Sequence, residues 1–156
     1  MMVDPKAKCF VVDTNVFVAA VKPFSRPTTA RLPDTFRLLM KLILDDTISL
    51  IGNSKLATEY RCLGQEFHSE TASMVIDQLL EKTTLIEISR EGIGVCATYF
   101  PDQRQIADIF HAATAFQSRS IVITNDNDFD QLKKSGLIEI WSISDAIRKL
   151  LKETRH

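Results

Sequence analysis

The run Cys9-Phe10-Val11-Val12 stops at Asp13, with Thr14 and Asn15 next and a further apolar stretch from Val16 to Val21. A strand buried on both faces of a sheet reads as a continuous apolar run, and parallel sheets covered by helices contain such strands. Ligands of open α/β sheets bind outside the carboxyl ends of the strands, so Asp13 stands where a site is expected. The same grammar returns near the other end, where Ser120-Ile121-Val122-Ile123-Thr124 runs into Asn125-Asp126-Asn127-Asp128-Phe129. Carboxylates gathered at two strand ends without matching cations are costly unless a metal holds them.

Between these strands the chain alternates. Pro23, Pro27 and Pro33 make residues 22–33 hard to keep helical, so a loop or lid over the strand end is expected there. Asp34 or Thr35 is placed to cap a helix through Leu44, and Ile48–Ile51 follows as a strand. Ser54 is read as the cap of a helix over about 55–63, with Leu56, Tyr60 and Leu63 on one face. Ser69 begins another carrying Met74, Val75, Ile76, Leu79 and Leu80. Thr84–Ile88 reads as a short strand, and a weakly patterned stretch leads to Pro101-Asp102, which favours a helix start. That helix runs to about Gln117 with Ile106, Ile109, Phe110, Ala113 and Phe116 as its apolar face. After the strand Ser120–Thr124 come a short helix around 129–134, a stop at Gly136, a strand Leu137–Trp141 and a Ser144-capped helix to about Leu151. The pattern predicts an α/β fold, a three-layer α/β/α sandwich around a mainly parallel sheet of about five strands.

The whole chain, residues 1–156, reads as one domain. No apolar stretch approaches the ~18 residues a membrane span needs, and the N-terminus lacks an apolar signal core, so a cytoplasmic location is expected. Cys9, Cys62 and Cys96 fit neither a zinc pattern nor a redox pair and are expected to be buried free thiols. A net charge of −1 argues against gripping duplex nucleic acid through many phosphates, but leaves room for a nuclease whose positive charge is a bound metal.

Glu59 lies on the helix after Ser54 beside its apolar stripe, and Asp108 borders the apolar face of the helix after Pro101. Taken alone, each reads as an ordinary helix charge. Together with FVVDTNVFVAA at Phe10–Ala20, SKLATEYRCL at Ser54–Leu63, IADIFHAATA at Ile106–Ala115 and IVITNDNDFDQL at Ile121–Leu132, they give the chain another aspect. In order and spacing these segments resemble the PIN-domain ribonucleases, which include the toxins of toxin-antitoxin pairs. The resemblance spans Phe10 to about Trp141. It implies that Asp13, Glu59, Asp108 and Asp126 form the catalytic acids, with Asp13, Asp108 and Asp126 binding Mg²⁺ or Mn²⁺. Thr14, Asn15, Thr124 and Asp128 would support them, Asp128 also being an adjacent substitute for Asp126. The resemblance further implies cleavage of single-stranded or structured RNA, an antitoxin protein as partner and a homodimer. At the third acid the chain departs from many relatives: Ala107 adjoins Asp108, and Asp102 is six residues away, so a second ion is expected to bind less tightly.

Phosphodiester hydrolysis needs an activated water, an in-line approach and a stabilised leaving oxygen, all of which two metals about 3.5–4 Å apart can provide. Oxygen donors without His or Cys suit such hard ions. Lys22, Arg26 and Arg31 in the Pro-rich segment, Lys55 and Arg61 near Glu59, and Arg104 before Asp108 are candidate contacts to the RNA backbone, which position a substrate without reading its sequence. His111, one turn after Asp108, has no evident partner in the sequence and is read as structural rather than as a general base. A phosphatase-type phosphotransfer enzyme also ends its first strand on Asp, but wants a second acid where Asn15 stands. A response-regulator receiver wants two adjacent early acids and a lysine better placed than Lys133 or Lys134. The remaining alternative is a catalytically weak PIN-like binding module for nucleic acid or protein.

Overall fold

The computed structural model describes residues 8–22, 33–102 and 104–151. Five strands, β1 (Lys8–Val12), β2 (Ile48–Gly52), β3 (Thr83–Leu85), β4 (Ile121–Ile123) and β5 (Ile140–Trp141), form one sheet in the order β3-β2-β1-β4-β5, with every neighbouring pair parallel. The helices are α1 (Thr14–Val21), α2 (Asp34–Leu44), α3 (Ser54–Phe67), α4 (Glu70–Lys82), α5 (Arg90–Ala97), α6 (Ile106–Ser118), α7 (Asp130–Ser135) and α8 (Ile143–Leu150). A single 3-10 turn at Asn127–Phe129 precedes α7.

The central strand explains the opening apolar run. Phe10, Val11 and Val12 are all buried, so neither face of β1 meets water. Helix α6 lies against β1, β2 and β4 with α5 beside it, while α2 lies against β2 and gathers α1, α4 and α8 around it. Phe17 of α1 meets Tyr60 and Phe67 of α3 edge-on at 6.1 and 5.7 Å, and the Tyr60 hydroxyl donates to the Val12 carbonyl at 2.7 Å. Helix α3 is thereby fixed to the end of β1. Burying one side chain the size of Phe17 stabilises by roughly 1.5–3 kcal/mol.

The sheet order starts at β1 and proceeds first toward β2 and β3, then resumes on the other side at β4 and β5. That reversal places the topological switch point between β1 and β4, the position at which α/β sheets open a crevice beyond their strand ends.

Several local expectations are corrected. Helix α3 is capped by Asn53, whose side chain accepts from the Leu56 N–H at 2.9 Å, and it continues to Phe67. Asn53 also donates to Thr114 Oγ1 at 2.9 Å, so one buried amide joins α3 to α6. Asn53→Ala removes a cap and leaves the Leu56 N–H and the His111 Nδ1 without that partner, which should cost roughly 2–3 kcal/mol. A chemical denaturation curve checks this, and an unchanged midpoint would contradict it. The weakly patterned stretch contains α5, capped by Ser89. Helix α6 starts at Ile106 rather than near Pro101, and Ile106 is exposed while Ala112 and Thr114 are buried. Ser142, not Ser144, caps α8, and Met74 lies outside the buried face of α4. Strand β5 is shorter than expected, whereas Gly136 ends α7 at φ 75°, the left-handed region that favours glycine. The Pro-rich segment 23–32 lies outside the described residues, as do Arg26 and Arg31.

The cysteines are free, but only Cys96 is buried; Cys9 is half-buried and Cys62 exposed. Burial pushes the Cys96 thiol up to about 11. A thiol reagent near neutral pH should therefore label Cys62 within minutes and Cys96 only after denaturation. Mass mapping of the labelled peptides tests the order.

Candidate active site

The site is built at the switch point. Asp13 directly follows β1, and its backbone N–H donates to the Ile123 carbonyl at 3.1 Å, tying it to the end of β4. The residue is 6% exposed. Asp13 Oδ2 accepts from Thr124 Oγ1 at 2.7 Å and from Asn15 Nδ2 at 3.3 Å, while Thr14 Oγ1 approaches Oδ1 at 3.5 Å. Asn15 Nδ2 also donates to Thr124 Oγ1 at 3.1 Å, and that hydroxyl oxygen accepts from the Asp126 N–H at 3.0 Å. Thr124 thus holds the first acid with its proton and the loop bearing the fourth with its lone pairs.

Asp108 in the first turn of α6 completes the group. Asp13, Asp108 and Asp126 each present a carboxylate oxygen, and the three oxygens lie within 4.8 Å of one another. Burial, reinforced by the Asp126 and Asp13 carboxylates, raises the Asp108 pKa to about 7. Burial likewise raises that of Asp126. Each is the response of a carboxyl group desolvated next to others of its charge. Three oxygens at this spacing match the donor set of a hard divalent cation, so the residues present fit Mg²⁺ or Mn²⁺.

Asp128 is outside this cluster; its N–H donates to Asp126 Oδ1 at 2.9 Å and braces that residue. Glu59 is outside as well. Its Oε1 lies 2.8 Å from His111 Nε2, while its side chain keeps 30% exposure. The sequence reading of His111 as lacking a partner is therefore corrected, because it is 1% exposed and contacts both Glu59 and Asn53. Asn53 was missed altogether, although an Asn preceding a helix is a recognisable cap.

Among the basic candidates, Lys22 and Lys55 line a groove of about 690 Å³ between α1 and α3, with Asn15, Glu59, Val18 and Leu63 also on its wall. Arg61 is exposed on α3 but does not line that groove. Arg104 is turned to Asp102, at 3.2 Å.

With the acids of the first strand end, the α6 turn and the fourth strand end in one cluster, the decisive comparison is with domain families, and the PIN domain matches residues 10–135. The chain belongs to the PIN-domain family. The fold of this PIN domain is shared by VapBC2 from Rickettsia felis, solved bound to a DNA fragment from their promoter, at 17% identity and a TM-score of 0.56, covering 86% of this chain and 98% of that one. VapBC-1 from nontypeable Haemophilus influenzae is similar at 15% identity and a TM-score of 0.53, covering 87% and 98%. FitAB bound to an IR36 DNA fragment matches at 17% identity and 0.52, covering 86% and 94%. Among curated proteins none matches the chain in sequence. No helix of the described residues is long and apolar enough to cross a membrane.

Proposed function

We propose that this PIN domain is a metal-dependent endoribonuclease acting in the cytoplasm, with Asp13, Asp108 and Asp126 as the ligands of Mg²⁺ or Mn²⁺ and Glu59 as the further catalytic acid. The observation that carries this reading is the convergence of three carboxylate oxygens within 4.8 Å at the sheet's switch point. A bound divalent ion supplies a water deprotonated near neutral pH and a counter-charge for the phosphate and leaving oxygen. The chain's own residues do the rest. Thr124 and Asn15 aim Asp13, Asp128 braces Asp126, and Lys22 and Lys55 give the groove beside Glu59 a cationic margin for phosphates. Asp108, whose carboxyl is raised to about 7, would hold the cation in its ionised form. The similar structures include VapBC and FitAB, and this supports an antitoxin protein as a partner here; a homodimer as the working form belongs to the same proposal.

Labelled single-stranded RNA incubated with the protein should be cut in Mg²⁺ or Mn²⁺ and spared in chelator. RNA left whole under all three conditions overturns the reading in favour of a binding module.

A further inference from the structure

His111 lies in the middle of α6, and both of its ring nitrogens are engaged. Nδ1 is 3.2 Å from Asn53 Nδ2, and Nε2 is 2.8 Å from Glu59 Oε1. The orientation of the Asn53 amide is fixed by its other end, since Oδ1 accepts from the Leu56 N–H and Nδ2 donates to Thr114 Oγ1. An amide nitrogen only donates, so Nδ1 of His111 must accept, and the ring hydrogen sits on Nε2, where it is given to Glu59. Both nitrogens are thus engaged by side chains of the protein, and the ring is 1% exposed.

Resting on the nuclease reading above, we propose that His111 is a positioning residue that sets the orientation of Glu59 relative to the metal-binding aspartates. Glu59 belongs to α3, but the hydrogen bond attaches its carboxylate to α6, one turn from Asp108. Asn53 makes the device rigid, because it caps α3 and grips the imidazole at once. A carboxylate has about four lone-pair sites, so accepting one N–H on Oε1 leaves capacity for the cation or its waters. Without the donor, a partly exposed glutamate with three side-chain torsions loses its fixed direction. Groups that orient ligands in this way typically alter metal affinity or activity about 10–100-fold when removed.

Two substitutions separate this role from packing. In His111→Gln the amide nitrogen reaches the place of Nε2 and can still donate to Glu59. In His111→Asn the amide reaches only the place of Nδ1 and falls short of Glu59. Mn²⁺ titrated calorimetrically into each folded protein should show affinity weakened about 10–100-fold in His111→Asn and by less than about threefold in His111→Gln, with RNA cleavage following the same ranking. His111→Asn should add less than about twofold in a Glu59→Ala background, where the acceptor is gone, since the two residues act as one unit. Equal affinities for all variants, or fully multiplying losses in the double variant, overturn the proposal. Should His111→Asn fail to fold, imidazole ¹⁵N shifts of the wild type take its place. They should report a protonated Nε2 that moves on Mg²⁺ addition in the wild type and stays still in Glu59→Ala; a protonated Nδ1, or an Nε2 indifferent to Mg²⁺, overturns it. A wild type that binds Mn²⁺ with this ranking but cuts no RNA supports the positioning role and overturns the nuclease reading. One that cleaves with all variants alike overturns the positioning role alone.

Discussion

Asp13→Asn is expected to reduce RNA cleavage by roughly a hundredfold to ten-thousandfold while leaving the protein folded. A cation at a phosphoryl centre contributes several kcal/mol to transition-state stabilisation, and each ~1.4 kcal/mol lost is a factor of ten in rate. Asp13 is the most buried of the three clustered acids, and the Thr124 hydroxyl and the Asn15 amide both donate to its Oδ2. Asparagine keeps a carbonyl oxygen able to accept from Thr124 Oγ1. It also removes one of the charges that hold the Asp108 pKa up. The melting temperature of the metal-free variant should therefore equal or exceed that of the wild type. Cleavage at a rate near the wild type's would remove Asp13 from the chemistry, and a lower melting temperature would show that the carboxylate serves the fold.

Divalent metal should raise the melting temperature, and raise it more as the pH increases. The Asp108 carboxyl moves from its ordinary 3.8 to about 7 in the folded protein. Between those values the folded chain holds more protons than the unfolded one, so the metal-free protein loses stability as the pH climbs from about 4 to 7. Binding a cation displaces that proton, so affinity grows across the same window and levels off above it. At about a hundred times the dissociation constant, ligand linkage gives roughly 2.7 kcal/mol, which for a chain of this length is about 5–10 °C. Melts with Mg²⁺ or Mn²⁺ at pH 7.5 and pH 5 test the sign. Shifts of equal size at both values, or none, would refute the coupling between Asp108 and the ion.

The sequence made some of this structure readable and hid the rest for physical reasons. The apolar runs Phe10–Val12 and Ile121–Ile123 announce themselves because strands covered on both faces cannot alternate, and an acid follows each within three residues. Asp108 and Glu59 carry no such local sign and were singled out by resemblance to a family. Helix α5 was hidden because Gly92 and Gly94 lower helix propensity, and its stability derives from packing on α6. The cap of α3 was displaced by one residue because Asn53 and Ser54 are both competent caps, and only the first has α6 to bond to. The least legible feature was the Glu59–His111 contact, whose members are 52 residues apart and meet only when α3 and α6 pack.

The distance along the chain between the two ends of the site has a bearing on the order of synthesis. Asp13 is held by Thr124, 111 residues later, and the β1–β4 pairing that joins them comes from equally remote segments. Contacts so distant form late, since the entropy of closing a long loop has to be met first. A ribosome-bound chain with Asp13 and Glu59 already outside the exit tunnel has no cluster to offer a cation until Asp126 follows. On the nuclease reading, the growing polypeptide is therefore inactive until β4 and the loop after it have emerged and paired with β1.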